Sequence, residues 1–287
     1  YFVDDLNMPK VDKYFTQQPI ALVRQLIDYG TFYDRADLSV QKRIADILFV
    51  SCMNPKAGSF YVDVRLTRHL TTICLSVPEK EILYTIYSQM LSGHFREFDE
   101  KIQKLTPKII SATQKVFGDM SKNPKFAPTA KKFFYQFNMR DFAKIIQNIM
   151  CSNAKEYKGK ELNIARLWAH ECHRVWEDRL IDAEDFDQYN KTMVAAAKEN
   201  FTDFQDTAVF EEPLIFTSFV DASKGHDPSY RGVKDTAELR DCLEGYLADY
   251  NENVAAMDLV LFQQAMEHIV RICRIIDQPS GHCLLVG

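Results

Sequence analysis

Six side chains carry the chemistry open to this sequence: two adjacent carboxylates, Asp4 and Asp5, the amide of Asn54, and the guanidinium groups of Arg65, Arg68 and Arg140. The carboxylates close the apolar run Tyr1-Phe2-Val3 and precede turn-forming Asn7 and Pro9. A short apolar run closed by turn signals has the pattern of a strand buried on both faces of a parallel sheet. Ligands of open α/β sheets gather at the carboxyl ends of such strands. An acidic pair there could serve a nucleoside triphosphate, the first carboxylate holding Mg²⁺ through water and the second orienting the attacking water. Standing alone, the pair reads first as the solvated end of a strand.

The other candidates have the same double character. Asn54 follows a second buried-strand candidate, Ile47 to Cys52, where an amide could bond a phosphate or the attacking water; an Asn starting a turn before Pro55 explains it as well. Arg65 and Arg68 are three apart, on one side of a short helix, just before a third strand candidate, Thr71 to Val77. An arginine projecting from a domain edge can neutralise transition-state charge on a neighbour's phosphate, worth about 10³ to 10⁵ in rate. A surface pair with Asp63 is the plainer account. Arg140 falls in the first turn of a helix capped by Asn138, where the macrodipole disfavours a cation, so either an anionic ligand or Asp141 should compensate it.

The elements that must hold these groups follow from periodicity. Ile20, Leu22, Val23, Leu26 and Ile27 mark a helix ending at Tyr29-Gly30, and Thr31 to Arg35 is β-prone enough for a small hairpin. From Glu79 the pattern is helical, with an amphipathic stripe through Ile82, Leu83, Ile86, Tyr87, Met90 and Leu91. Residues 101–132 hold eight lysines against one acid, Asp119, which reads as a solvated helical face. Trp168 and Trp176 sit in another long helix; its His170, Cys172 and His173 lack the i, i+4 histidine spacing of a zinc helix. Residues 182–200 read as an exposed acidic helix. Pro213, Gly225, Pro228 and Gly232 break the pattern over 201–232, the expected linker. Leu259 to Ile276 is again amphipathic, and Pro279-Ser280-Gly281 turns into CLLVG, a strand candidate. No GxxxxGK[ST] loop occurs.

With 287 residues, 46% hydrophobic and 26% charged, the composition is that of an ordinary globular chain, and the net charge of −5 argues against a nucleic-acid-binding surface. The seven cysteines contain no CxxC pair, which fits reduced thiols, most of them buried as small hydrophobes. No apolar run reaches the roughly 18 residues of a membrane span. The missing initiator Met and the strand-like ends suggest a segment of a longer protein.

The order of the parts then becomes specific. YFVDDLNMPKVDKYFTQQPIALVRQLIDYG, FVSCMNPKAGSF, RLTRH, FNMRDFAKI and NVAAMDLVLFQQAMEHIVRICRII before GHCLLVG together resemble a dynein heavy chain of the axonemal type. The likeness runs from the Walker-B strand of the third AAA+ module to the strand before the phosphate loop of the fourth. It implies an α/β plus α fold: residues 1–77 the C-terminal part of a P-loop NTPase core, 78–200 an all-helical lid, 201–232 a linker, and 233–287 the start of the next module.

The resemblance further implies ATP or ADP with Mg²⁺ as ligands. Asp4 would be the Mg²⁺-organising acid, and Asp5 would stand where many AAA+ modules carry a catalytic Glu; Asp is shorter by one methylene, so nucleotide binding is the safer expectation. Asn54 would be sensor 1 and Arg140 sensor 2, with Arg65, or second Arg68, the arginine finger for the neighbouring module. The implied partners are adjacent AAA+ modules, dynein intermediate and light chains, and the microtubule through parts outside this segment. The implied location is the axoneme of a cilium or flagellum. Neither nucleic acid nor membrane is expected. A remodelling AAA+ ring protein, or a structural ring segment that binds no nucleotide, remains the alternative; a long antiparallel coiled coil after the fourth module would be expected only for dynein.

Overall fold

A computed structural model describes residues 1–55, 61–222, 228–279 and 281–285. They divide into two compact units, Tyr1–Val77 and Pro78–Gly287.

In the first unit, β1 (Phe2–Val3) is followed by α1 (Gln18–Tyr29), the hairpin of β2 (Thr31–Tyr33) and β3 (Gln41–Arg43), then β4 (Val50–Ser51) and the short α2 (Val64–Thr67). The helix stops where the sequence said it should. Gly30 takes φ 65° and donates its N–H to Leu26 O, a left-handed cap that a β-carbon would strain. The hairpin forms as expected, antiparallel, with Phe32 opposite Lys42. β1 and β4 pair in parallel, Phe2 opposite Val50 and Val3 opposite Ser51. Leu6, Ile20, Val62 and Leu66 form the buried core, with Val3, Val23, Ile27 and Leu70 packed on it.

Two expectations about strands are corrected. Phe2 and Val50 are exposed, at 69% and 51%, because a two-residue ladder with a single neighbour per strand leaves a face open instead of burying both. Thr71 to Val77 pairs with no strand among the described residues, and Ile73, Leu75 and Val77 stand in solvent. Apolar alternation gives a strand its propensity, but a ladder needs a partner edge.

The second unit runs α3 (Lys80–His94), α4 (Glu100–Gln103), α5 (Thr106–Lys122), α6 (Met139–Ile149), α7 (Glu161–Val175), α8 (Ala183–Asn200), α9 (Asp206–Val209), β5 (Phe216–Thr217), α10 (Phe219–Ala222), β6 (Arg231–Gly232), α11 (Thr236–Asn253) and α12 (Gln263–Ile276). Its main core joins Leu91, Phe95, Ile109, Phe142, Ile145, Trp168, Trp176 and Met193. Trp168 Nε1 donates to Thr113 Oγ1 at 2.9 Å, satisfying the one polar atom of a fully buried indole. The lysine-rich tract is a paired face: Lys108 meets Asp203, Lys115 meets Glu199, and Lys132 lies between Asp182 (2.7 Å) and Asp185. The helix expected to be an exposed acidic one therefore has two sides. Tyr189, Thr192, Met193, Ala196 and Ala197 of α8 are buried, packed toward the core.

The segment 201–232 differs from a plain linker. Phe201, Val209, Leu214 and Phe216 join the main core, while Val220 joins Val233, Leu239 and Met266 in a second cluster. Its prolines and polar residues signal turns correctly, but turns do not preclude burial of the apolar residues between them. β5 and β6 pair antiparallel, and Arg231 grips Asp221 at 2.7 Å and Glu238 at 3.2 Å. α12 begins at Gln263, four residues later than the periodicity implied. The end of the CLLVG strand, Val286 and Gly287, lies outside the described residues, as do Ser280, Gly225 and the stretch 56–60 of FVSCMNPKAGSF; Cys283 to Leu285 form no strand. Only Cys172 and Cys242 of the seven free cysteines are buried, fewer than expected.

Candidate functional site

The parallel ladder of the first unit does the positioning. With Val3 opposite Ser51, the next pair in register is Asp4 and Cys52, so the acidic pair and Asn54 emerge from the carboxyl ends of two adjacent parallel strands. Leu6 N–H to Cys52 O (3.1 Å) and Asn7 Nδ2 to Asn54 O (2.9 Å) continue the lacing past the strands. Asn7 is buried, so this amide is a fixed strut between the two chain segments.

Asp4 and Asp5 are both exposed. Asp4 Oδ1 accepts the Asp5 backbone N–H at 3.0 Å and the Cys52 thiol at 2.9 Å. That hydrogen bond, ahead of burial, raises the Cys52 pKa. Among the described residues Asp4 Oδ2 takes no hydrogen bond. One oxygen anchored and one open suits a carboxylate that accepts from metal-bound water, so these residues fit Mg²⁺ held in its outer sphere. Asp5 takes φ 50°, a left-handed backbone that Asp and Asn tolerate better than other residues with a β-carbon, and its carbonyl accepts Met8 N–H at 2.9 Å in a tight turn. The two neighbouring carboxylates thus leave the chain from unlike backbone conformations.

The arginines divide clearly. Asp63 spends its carboxylate on capping α2, accepting Arg65 N–H at 2.9 Å, and the Arg65 guanidinium is exposed with no ion pair among the described residues. Arg68 is engaged, reaching Asp28 at 3.3 Å and donating to His69 Nε2 at 3.1 Å. In the second unit Asn138 and Asp141 form a reciprocal capping box at the start of α6. Asp141 also pairs with Arg179 at 2.9 Å, so it is not the partner of Arg140. Arg140 is exposed, its guanidinium unpaired among the described residues, in the first helical turn where positive charge is disfavoured.

One constellation escaped the sequence reading. Glu171 is fully buried and accepts from four groups: Asn148 Nδ2 (2.7 Å), Tyr230 Oη (2.5 Å), and Arg274 through Nε (3.1 Å) and Nη2. Gln278 extends it through Asn148. The signal was present. Glu171 lies on the apolar stripe of α7 with Ile164, Leu167, Trp168 and Val175, and Arg274 continues the Met266, Val270 stripe of α12. Two opposite charges on two apolar stripes are the mark of a buried pair. A separate cavity of about 380 Å³ lies among α7, α8, α12 and residues 210–215, walled by His170, Arg174, Glu177 and Arg271; none of the six candidates lines it. His170 is buried there, its Nδ1–H donating to Leu214 O (2.9 Å). Among the described residues no three His, Cys, Asp or Glu side chains cluster as a metal site, and no helix is long and apolar enough to cross a membrane.

A parallel ladder with acids and an amide at its carboxyl ends, next in sequence to a predominantly helical unit, fits one class: a partial AAA+ core with its lid. Comparison with known proteins gives the family. Residues 1–78 match the P-loop containing dynein motor region, 114–211 the AAA+ lid domain, and 257–287 the P-loop containing dynein motor region D4. The chain is 43% identical to the dynein beta chain of the flagellar outer arm of Chlamydomonas reinhardtii. It is 42% identical to dynein axonemal heavy chain 11 of Sus scrofa and 41% identical to dynein axonemal heavy chain 17 of Homo sapiens. Each alignment covers 100% of this chain and 6% of the relative. The chain belongs to the dynein heavy chain family, as a segment of the AAA+ motor region of axonemal type.

Proposed function

We propose that this segment supplies half of a regulatory ATP/ADP site in the AAA+ ring of an axonemal dynein motor and lends an arginine finger to the neighbouring site. The observation that carries this reading is the parallel β1–β4 register, which brings Asp4 and Asn54 out side by side where a nucleotide of an α/β sheet binds. Bound Mg²⁺ would neutralise phosphate charge. Asp4 would hold its water shell, Asn54 would contact the γ-phosphate or the attacking water, and Asp5 would orient that water. Arg140 would meet the phosphates from the lid. The Arg65 guanidinium, with no ion pair among the described residues, supports it as the finger over the engaged Arg68.

On this reading 1–77 is the end of the third module's core, 78–200 its lid, 201–232 the connection and 233–287 the start of the fourth module. The relatives named above are flagellar and axonemal dyneins, which places the chain in the axoneme of a cilium or flagellum. Adjacent modules of the same heavy chain are its direct partners. The microtubule and the intermediate and light chains would be met by other parts of the protein, and the segment by itself would hydrolyse no ATP.

The test is equilibrium binding of labelled ADP and ATP, with Mg²⁺, to the complete heavy chain beside Asp4→Ala and Arg140→Ala. Each substitution is expected to weaken binding at this module tenfold or more, about 1.4 kcal/mol. Unchanged binding in both would leave a structural ring segment as the better account.

A further inference from the structure

We infer that Cys52 is a positioning residue of the nucleotide site: its thiol, reaching across the β1–β4 ladder, holds the Asp4 carboxylate in the orientation that organises Mg²⁺. The inference rests on the regulatory-site reading and goes one residue further into it. Asp4 Oδ1 is held from two directions, by the Asp5 backbone N–H at 3.0 Å on its own strand and by Cys52 Sγ at 2.9 Å from the neighbouring one. The backbone donor comes with the turn after β1. The thiol is the only one of the two that depends on side-chain identity, and it comes from the residue just past β4, as Asp4 is the residue just past β1. With Oδ1 occupied, Oδ2 is the oxygen left for a metal-bound water.

A carboxylate on an exposed strand end has free rotation about χ1 and χ2 unless something fixes it, and outer-sphere Mg²⁺ binding requires near-ideal octahedral placement of the waters it accepts from. A weak S–H donor is enough to choose a rotamer while costing the carboxylate little of its charge. The link also couples the segments that follow the two strands: Cys52 is two residues before Asn54, whose carbonyl accepts from Asn7 in the turn after β1. The backbone segments that carry Asp4 and Asn54 are thereby tied to each other at two points.

The test uses the complete heavy chain, with azido-ATP photo-crosslinking mapped by peptide mass spectrometry so that this module is read apart from the others. In Cys52→Ala the Mg²⁺ concentration for half-maximal labelling should rise about tenfold, with labelling in EDTA unchanged. Cys52→Ser, which keeps a donor on the same β-carbon, should restore the parent Mg²⁺ dependence. Asp4→Ala should abolish that dependence. If Cys52→Ala titrates like the parent while Asp4→Ala loses its Mg²⁺ response, the positioning role falls and the site reading stands. If Asp4→Ala also titrates like the parent, both fall. Equal weakening with and without Mg²⁺, unrescued by serine, would mean that Cys52 only packs, and would overturn the inference.

Discussion

At the scale of single residues, Asp5 combines a chemical expectation with a backbone constraint. Its φ of 50° admits Asp, Asn and Gly readily and β-branched residues poorly. Asp5→Asn should therefore leave stability within about 0.5 kcal/mol while removing the charge that would orient water. Asp5→Val should cost roughly 1–3 kcal/mol by thermal unfolding. Equal losses in both variants would show that the side chain and not the backbone sets the cost. His170 and His94 make a second residue-scale prediction. Burial, with Arg174, Arg274 and His173 nearby, pushes the His170 pKa well below its ordinary 6.5, and burial lowers that of His94. Both are kept neutral by folding, so the unfolded chain binds more protons below pH 6.5. Stability should be flat above that pH and fall as the pH drops beneath it. His170→Gln should flatten the fall in a urea titration between pH 7 and about 5; an unaltered slope would assign the acid sensitivity elsewhere.

At the scale of elements, the Glu171–Arg274 pair ties α7 to α12. Removing one partner leaves a buried charge uncompensated, so Arg274→Met should destabilise by about 3–5 kcal/mol, whereas Glu171→Leu with Arg274→Met should recover most of it. A double-mutant cycle by urea denaturation would show this, and additive losses would contradict it. The exposed Lys115–Glu199 pair should be worth no more than about 1 kcal/mol in the same assay. Elements are also where sequence and structure part company. α1 and α6 were legible because their apolar periodicity coincides with caps at Gly30 and Asn138. The paired face of the lysine-rich tract was not, since its acids lie some 50 to 95 positions away. The burial of Phe201 and Phe216 was masked by turn-forming neighbours, and the strand propensity of Thr71 to Val77 says nothing about whether an edge awaits it. In the candidate site, Asp4 and Asn54 could be singled out because each follows its own apolar run; the Cys52–Asp4 hydrogen bond could not be foreseen, because it depends on how two strands pair.

At the scale of the whole molecule, the two units differ in how much of their own apolar surface they cover. The second unit encloses both tryptophans and a continuous core. Among the described residues the first buries four apolar side chains in its core and leaves Tyr1, Phe2, Leu48, Ile73, Leu75 and Val77 exposed. So many exposed apolar side chains over so small a core would leave the first unit, taken alone, prone to self-association. Expressed separately, residues 78–287 should be soluble and unfold cooperatively, and residues 1–77 should aggregate or bind a hydrophobic dye; a monomeric, dye-silent first unit would refute this.

The open ladder edge at β1 and β4 has a consequence for synthesis. Domains form as units while the chain emerges from the ribosome. A helical unit rich in near-neighbour contacts can close as soon as its last helix is out. A two-residue parallel ladder with no further strand beside it among the described residues gains little stability alone; on the proposed reading it is completed by strands from elsewhere in the heavy chain. On that reading those strands belong to the earlier part of the module and emerge first, so it is they that would wait, half formed and adhesive, for residues 1–77, and that interval is when a chaperone would be needed most.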